Sequence, residues 1–350
     1  MTSSPGIRYA LLAAVLFGAS TPLAKGLLAS VPPQVLAGLL YLGSGLGLGI
    51  LWLWQRRSGE VGEAALTRRD ISWLVGAIGF GGFLAPLLLL VGLSRTPASA
   101  ASLFLNLEGV FTALLAWIVF RENVDRRIAI GMVAIVAGGV LLAWQGRLEW
   151  GGLAGPLAIG GACLCWAIDN NFTQKVSARD PIQIAALKGG LAGTVNLAIG
   201  ILLARSLPNL PQTSAALVLG FFGYGLSLVF FVLALRSLGT ARTGAYFSTA
   251  PFVGAILSVL FWHEAVTVTL LMAGGLMAFG IWLHLTERHM HDHTHIPLSH
   301  AHPHSHDSHH QHSHGPDDPP GDPHTHAHRH ETLAHSHPHF PDIHHRHRHG

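Results

Sequence analysis

Ten apolar runs, each close to the length a helix needs to cross a bilayer, follow one another between residues 8 and 286. They fall near 8–29, 34–54, 72–93, 98–120, 127–144, 153–173, 183–204, 214–235, 241–262 and 268–286. A hydrocarbon core takes roughly 20 apolar residues per helix. Lipid offers no partner to a free backbone group, and the turn-rich joints suit helices better than barrel strands. The chain therefore reads as an all-α integral membrane protein with the lipid bilayer as its first partner. Only 11% of its residues are charged, against about a quarter in soluble domains. The first apolar run is too long for a cleaved leader and lacks a small-residue cleavage site, so it reads as a span.

Histidine divides the chain into two objects. His263 and His284 are the only two before residue 289, and the other 23 lie between His289 and His349. With neutral histidine the body carries +7 and the segment from Glu287 onward −4. The basic excess sits in short joints between spans, where it orients a membrane protein, so no nucleic-acid partner is expected. Counted from a cytoplasmic N-terminus, twelve Lys and Arg fall on the inner side (Arg8, Arg56, Arg57, Arg68, Arg69, Arg121, Arg126, Arg127, Lys175, Arg179, Arg236 and Arg242). Three fall outside: Arg95, Arg147 and Arg205. Both termini are expected in the cytoplasm, in the plasma membrane of a bacterium. The two cysteines, Cys163 and Cys165, share one span and suit neither a disulfide framework nor a CxxC metal site.

The body repeats itself. Residues 93–144 align with 235–286 at an offset of 142, pairing Gly109 with Pro251 and Glu122 with Glu264. AVLFGASTPLAK (14–25) parallels ACLCWAIDNNFT (162–173), which brings Phe17 within one position of Trp166. Each half has five spans, and because five is odd the second half enters the membrane upside down. Inverted repeats of this kind build transporters whose substrate site lies near the midplane between the halves.

On these residues the chain resembles the EamA-type members of the drug/metabolite transporter superfamily. The resemblance rests on Phe17-Gly18 and Trp166-Ala167, on LFLNLEGVFTALLAWIVFRENV (103–124), and on AYFSTAPFVGAILSVLFWHEAV (245–266) with its mid-helix proline. The first half departs from the pattern, with Glu108-Gly109 where a proline is common. The resemblance implies ten transmembrane helices as two inverted five-helix repeats, residues 1–146 and 147–286, followed by a tail at 287–350. It also implies secondary transport of a small-molecule solute: a metabolite, an amino acid or a drug.

Charged groups inside spans are costly and each needs a reason. Glu108, ten residues into the fourth span, is the strongest candidate, able to bind a proton or a cationic substrate in alternation. Asp169, Asn170 and Asn171 interrupt the sixth span and are expected to face a cavity or to unwind the helix. Lys188 and Asn196 share roughly one face of the seventh span. Lys188 lies towards the cytoplasmic end, where snorkelling to the headgroups competes with substrate contact; Lys25, towards the outer end of the first span, has the same choice. Tyr246, Phe17 and Trp166 would line the midplane cavity if the resemblance holds in detail. Pro22 and Pro251 are candidate gating kinks, and Ser20-Thr21 and Ser248-Thr249 stand ready to serve the carbonyls freed there. Glu122 and Glu264 read as structural landmarks of the repeat. The glycines Gly43, Gly45, Gly47 and Gly49 lack the context of a nucleotide loop and suit close helix packing.

The tail alternates histidine with Asp, Ser, Pro and Thr and has too few apolar residues to build a core, so it reads as disordered and cytoplasmic. It contains fifteen H-x-H steps, which place imidazoles on one side of an extended chain. His289, His291, His293, His295, His300, His302, His304, His306, His310, His312, His314, His324, His326, His328 and His330 are the candidate ligands. Zn, Ni, Co and Cu ions all suit imidazole. No cofactor is required, and no nucleophile–base or HExxH pattern suggests an enzyme. Three functions remain open: a small-metabolite permease with a metal-binding regulatory tail, a transition-metal transporter fed by the tail, and a non-transporting metal sensor.

Overall fold

A computed structural model of the chain describes residues 5–57, 66–120, 126–143, 150–204 and 208–286, together with four short segments of the tail. The body is helical. Its helices are α1 (Pro5–Leu27), α2 (Pro33–Arg57), α3 (Ile71–Ser94), α4 (Ala98–Val119), α5 (Arg126–Ala143), α6 (Trp150–Val176), α7 (Pro181–Ala204), α8 (Leu210–Leu238), α9 (Arg242–Trp262) and α10 (Val268–Leu285). Among the described residues nine helices are long and apolar enough to cross a membrane; the apolar part of α5, Ala129–Ala143, is shorter. Leu202, Leu203, Ile118 and Val133 are among the large apolar side chains left on the outside, as a lipid-facing surface requires.

Four helices are irregular. A π-helical turn replaces α-helix at Ile78–Leu84 in α3 and at Phe221–Leu226 in α8. The helix breaks at Leu105–Asn106 in α4 and at Ser248–Thr249 in α9. By contrast α6 runs unbroken through Asp169-Asn170-Asn171, correcting the expectation that these residues unwind it. Asn171 Nδ2 donates to the Ala167 carbonyl at 2.8 Å and Thr173 Oγ1 to Asp169 Oδ1 at 2.8 Å, so the polar groups bond within one turn. Helical bonding also continues from Ser227 to Phe247, across the α8–α9 joint. The chain nevertheless reverses there: the rings of Phe231 and Phe247 are 4.9 Å apart, whereas a straight helix would separate them by about 24 Å.

The two sequence halves interleave. α2 packs along α7, and α5 along α10; α1 lies against α8 and α9, while α6 lies against α3 and α4. Glycine sets the closeness of the α2–α7 contact. A Cβ on Gly45 would fall 2.3 Å from the Gly190 nitrogen, and one on Gly193 2.4 Å from the Leu42 nitrogen. Gly43 and Gly47 turn instead to Leu217 and Phe221 of α8, and Gly49 meets nothing within 4 Å.

Polar clasps close both ends. At the end away from the N-terminus, Glu264 accepts from the Ala98 and Ser99 amides at 2.8 and 2.9 Å, capping α4. Lys25 donates to the carbonyls of Leu93 and Thr96, and Trp262 Nε1 to that of Pro22 at 3.0 Å. At the other end Arg179 pairs with Asp70 at 3.0 Å, Arg236 donates to the carbonyls of Ser177 and Arg179, and Trp52 Nε1 donates to Asp180 at 3.1 Å. Glu122, the repeat partner of Glu264, lies outside the described residues.

Most of the tail lies outside the described residues. Its described residues form four strands, β1 (Met290–Thr294), β2 (Ser299–His304), β3 (His324–Arg329) and β4 (Ala334–Pro338), with β1 paired antiparallel to β4 and β2 to β3. The period-two H-x-H pattern is the period of a strand, which makes a ladder available without a core.

Substituting Gly45→Val forces a methyl-bearing carbon into the α2–α7 contact and should destabilise the protein by about 1–3 kcal/mol. Gly49→Val should stay within about 0.5 kcal/mol. Thermal unfolding of the two variants in detergent micelles separates these outcomes.

Candidate functional site

The π turn of α3 is where the site begins. A π turn shifts the backbone bonding by one residue and leaves carbonyls for other groups to serve. Two side chains donate to the Gly81 carbonyl, Tyr41 Oη at 2.7 Å and Trp166 Nε1 at 3.1 Å. Asn196 Nδ2 takes the Gly82 carbonyl at 3.1 Å, and Gln34 Nε2 in turn holds Asn196 Oδ1 at 3.0 Å. Helices α2, α6 and α7 are thereby pinned to one turn of α3. A Cβ on Gly81 would sit 1.9 Å from Asp169 Oδ2, so glycine is what lets that carboxylate stand beside the turn.

Around this turn lies a central cavity with an empty volume of about 570 Å³, part of it open space at its mouth. Its walls are aromatic. Phe17 makes edge contacts with Trp166 (5.5 Å between centroids) and Tyr224 (5.8 Å), and Tyr41 packs on Tyr224 at 5.3 Å. Its polar groups are Glu108, Asn170, Asp169, Lys188, Ser44 and Ser227.

The charges are deeply placed. Lys188, 2% exposed, donates to both Asp169 oxygens at 2.6 and 2.8 Å and to Thr173 Oγ1 at 3.1 Å. This corrects the snorkelling expectation: the Asp169 carboxylate on α6 holds the ammonium inside, and a paired charge has no reason to reach for the headgroups. Glu108 Oε1 accepts from Asn170 Nδ2 at 2.7 Å. Glu108 occupies the first turn of the half-helix that restarts after the Leu105–Asn106 break, where unsatisfied N–H groups and the helix dipole favour a carboxylate.

Of the residues singled out from sequence, Glu108, Asp169, Asn170, Lys188, Phe17 and Trp166 meet at this cavity. Tyr246 does not. It packs outside with Ala10, Ala234 and Leu238, and the next residue, Phe247, takes the cavity wall. Asn196 belongs to the network one layer away. Pro22 lies within an unbroken α1, whereas Pro251 follows directly on the α9 break and lines a second, smaller cavity. The neighbouring hydroxyls serve carbonyls as expected, but at Phe17 (Ser20), Gly244 (Ser248) and Tyr246 (Thr249) rather than at Gly18 and Phe247, whose donors the prolines remove. Tyr41, Ser44 and Tyr224 escaped the sequence reading. Tyr41 is the only titratable side chain in the apolar stretch of α2, and that was its one available signal.

Residues 4–144 match the EamA-like transporter family, and residues 153–286 match it a second time. The chain belongs to the EamA-like transporter family. It is 30% identical over 287 residues to an uncharacterized transporter of Methanothermobacter thermautotrophicus, covering 77% of this chain and 83% of that one. It is 27% identical over 279 residues to the uncharacterized transporter YvbV of Bacillus subtilis, covering 77% and 89% respectively. A solved crystal structure superposes with a TM-score of 0.63 at 20% identity, over 81% of this chain and 99% of that one, which shows the same fold. The protein is thus an EamA-type integral membrane transporter by family.

In the tail, His300, His302 and His304 stand opposite His328, His326 and His324, and His291 and His293 opposite His337 and His335. His289, His295, His306, His310, His312, His314 and His330 lie outside the described residues. Among the described residues no three His, Cys, Asp or Glu side chains come together as a metal site.

Removing the ammonium alone strands a buried carboxylate, so Lys188→Met should cost about 3–5 kcal/mol. The double variant Asp169→Asn/Lys188→Met should recover most of that loss. Unfolding midpoints of the three proteins in the same detergent provide the measurement.

Proposed function

We propose that this EamA-type protein is a secondary transporter that carries a small charged metabolite or drug through the central cavity by alternating access. The observation that carries this reading is the convergence of Glu108 and the Asp169–Lys188 pair on one aromatic-walled cavity, built by helices from both halves of the chain. Aromatic faces take the apolar part of a solute and attract a cationic group. Glu108 is free to exchange Asn170 for a proton or a solute ammonium. Lys188 offers a carboxylate-bearing solute an alternative to Asp169.

The ten helices form two inverted five-helix repeats in this reading, residues 1–146 and 147–286. Its support is the offset of 142: the π turns of α3 and α8 coincide under it to within one residue, as do the breaks of α4 and α9. The exchanged packing of α1 on α8–α9 and of α6 on α3–α4 is what a pseudo-two-fold relation requires. The two clasps then act as the gates on either side, with both termini on the cytoplasmic side. Pro22 and Pro251 are the proposed flexing points. The tail is a cytoplasmic segment that binds Zn, Ni, Co or Cu and regulates or buffers, supported by its facing histidine pairs.

Cells expressing the full chain should show changed levels of at least one small metabolite against an empty-vector control. Glu108→Gln, at equal membrane levels, should abolish the change. A truncated chain ending at residue 288 should keep the metabolite phenotype, leave cellular zinc, nickel and cobalt unaltered by elemental analysis, and lose most of the metal bound by the purified full chain. A tail-less protein that shifts cellular metal, with the shift lost in Glu108→Gln, would instead make a transition metal the solute.

A further inference from the structure

Glu108 is reached from two sides. On one side is the central cavity. On the other is a smaller one between α4 and α9, with an empty volume of about 310 Å³, whose lining includes Leu105, Thr112, Asn170, Gly244, Ser248 and Pro251. The two cavities share only Phe17, Glu108, Asn170 and Phe247, so the Glu108–Asn170 hydrogen bond stands in the partition between them.

Three features of the smaller cavity point to a ligand. Thr112 lines it, is 3% exposed, and its hydroxyl has no hydrogen-bond partner, although a buried hydroxyl normally finds one. Both helix breaks open onto it, at Leu105 in α4 and at Ser248 in α9. Each break ends one half-helix and starts another: the carbonyl end of the first carries partial negative charge that favours a cation, while the start of the second in α4 holds the Glu108 carboxylate. Finally, its possible ligands are hard oxygens with a single carboxylate among them, the Asn170 amide nitrogen being engaged with Glu108. Such donors suit an alkali or alkaline-earth ion rather than a transition metal. One negative charge balances a monovalent ion, while a dication would leave a buried charge uncompensated. Most of that volume is narrow or open margin, and only about 20 Å³ of it can take the centre of a water-sized body, enough for one or two small ligands.

We propose that this cavity is a binding site for one small monovalent cation, Na+, held by the Glu108 carboxylate, the Thr112 hydroxyl and the oxygens at the two helix breaks. The inference rests on the transporter reading for its purpose, since occupation of Glu108 from behind would compete with Asn170 and so sense what the central cavity contains. The site itself does not require that reading.

The test is direct binding of ²²Na+ to the purified full chain in detergent, at constant ionic strength balanced with choline chloride. Binding should saturate near one ion per chain and be displaced by unlabelled Na+ but not by choline. Thr112→Val, which keeps the side chain's shape, should weaken Na+ affinity about tenfold or more, equivalent to about 1.4 kcal/mol, with an unchanged unfolding midpoint in choline. Glu108→Gln should abolish binding. Absence of saturable binding, equal displacement by choline, or wild-type affinity in Thr112→Val would each overturn the proposal. Solute flux that persists without any Na+ binding would remove this site and leave the transporter reading intact; Na+ binding without flux would do the reverse.

Discussion

In hydrocarbon a backbone carbonyl released from its helix must find another donor, and this requirement organises the centre of the molecule. The π turn in α3 releases the carbonyls of Gly81 and Gly82, and the donors come from three other helices: Tyr41 from α2, Trp166 from α6 and Asn196 from α7. The irregularity therefore gathers helices rather than loosening them. It also needs glycine, because the same turn abuts the Asp169 carboxylate. The two aromatic residues that serve the turn, Tyr41 and Trp166, also line the cavity, so one constraint yields both the anchoring and the lining.

Charge is admitted on the same terms. Lys188 and Asp169 satisfy each other, with Thr173 as a third member, and Glu108 leans on Asn170 at the start of a half-helix. These two arrangements differ in what they can release. The ion pair is closed and rigid, since breaking it strands two charges. The Glu108 bond joins a carboxylate to a neutral amide, which another donor can replace at little cost. On the transporter reading proposed above, exchange of partners falls to Glu108 rather than to the pair.

Much of this was legible in the sequence, because membrane helices declare themselves by length and polarity, and because polar residues in apolar spans are rare enough to count. Glu108, Asp169, Asn170 and Lys188 were found that way. The errors have separate causes, each lying beyond what a local pattern reports. The breaks at Leu105–Asn106 and Ser248–Thr249 carry no proline at the broken residues themselves, and it is Phe247 rather than Tyr246 that lines the cavity. The polar run in α6 promised unwinding and instead bonded to its own turn, since Asn171 and Thr173 each find a partner four residues back. Lys188 was misjudged because its carboxylate lies 19 residues away on another helix, a distance no local pattern reports.

Glu264 has a mechanical consequence. It sits beyond α9, in the second half of the chain, yet its two carboxylate oxygens grip the amides that open α4 in the first half. Any tilt of α9 is therefore transmitted to the start of α4. The parts that move together are then stitched from both halves, and the seam of duplication is not the hinge line. On the alternating-access reading proposed above, a chain severed between residues 144 and 153 would yield two pieces, each holding only half of every rocking body, and neither would have a working lever until it met the other.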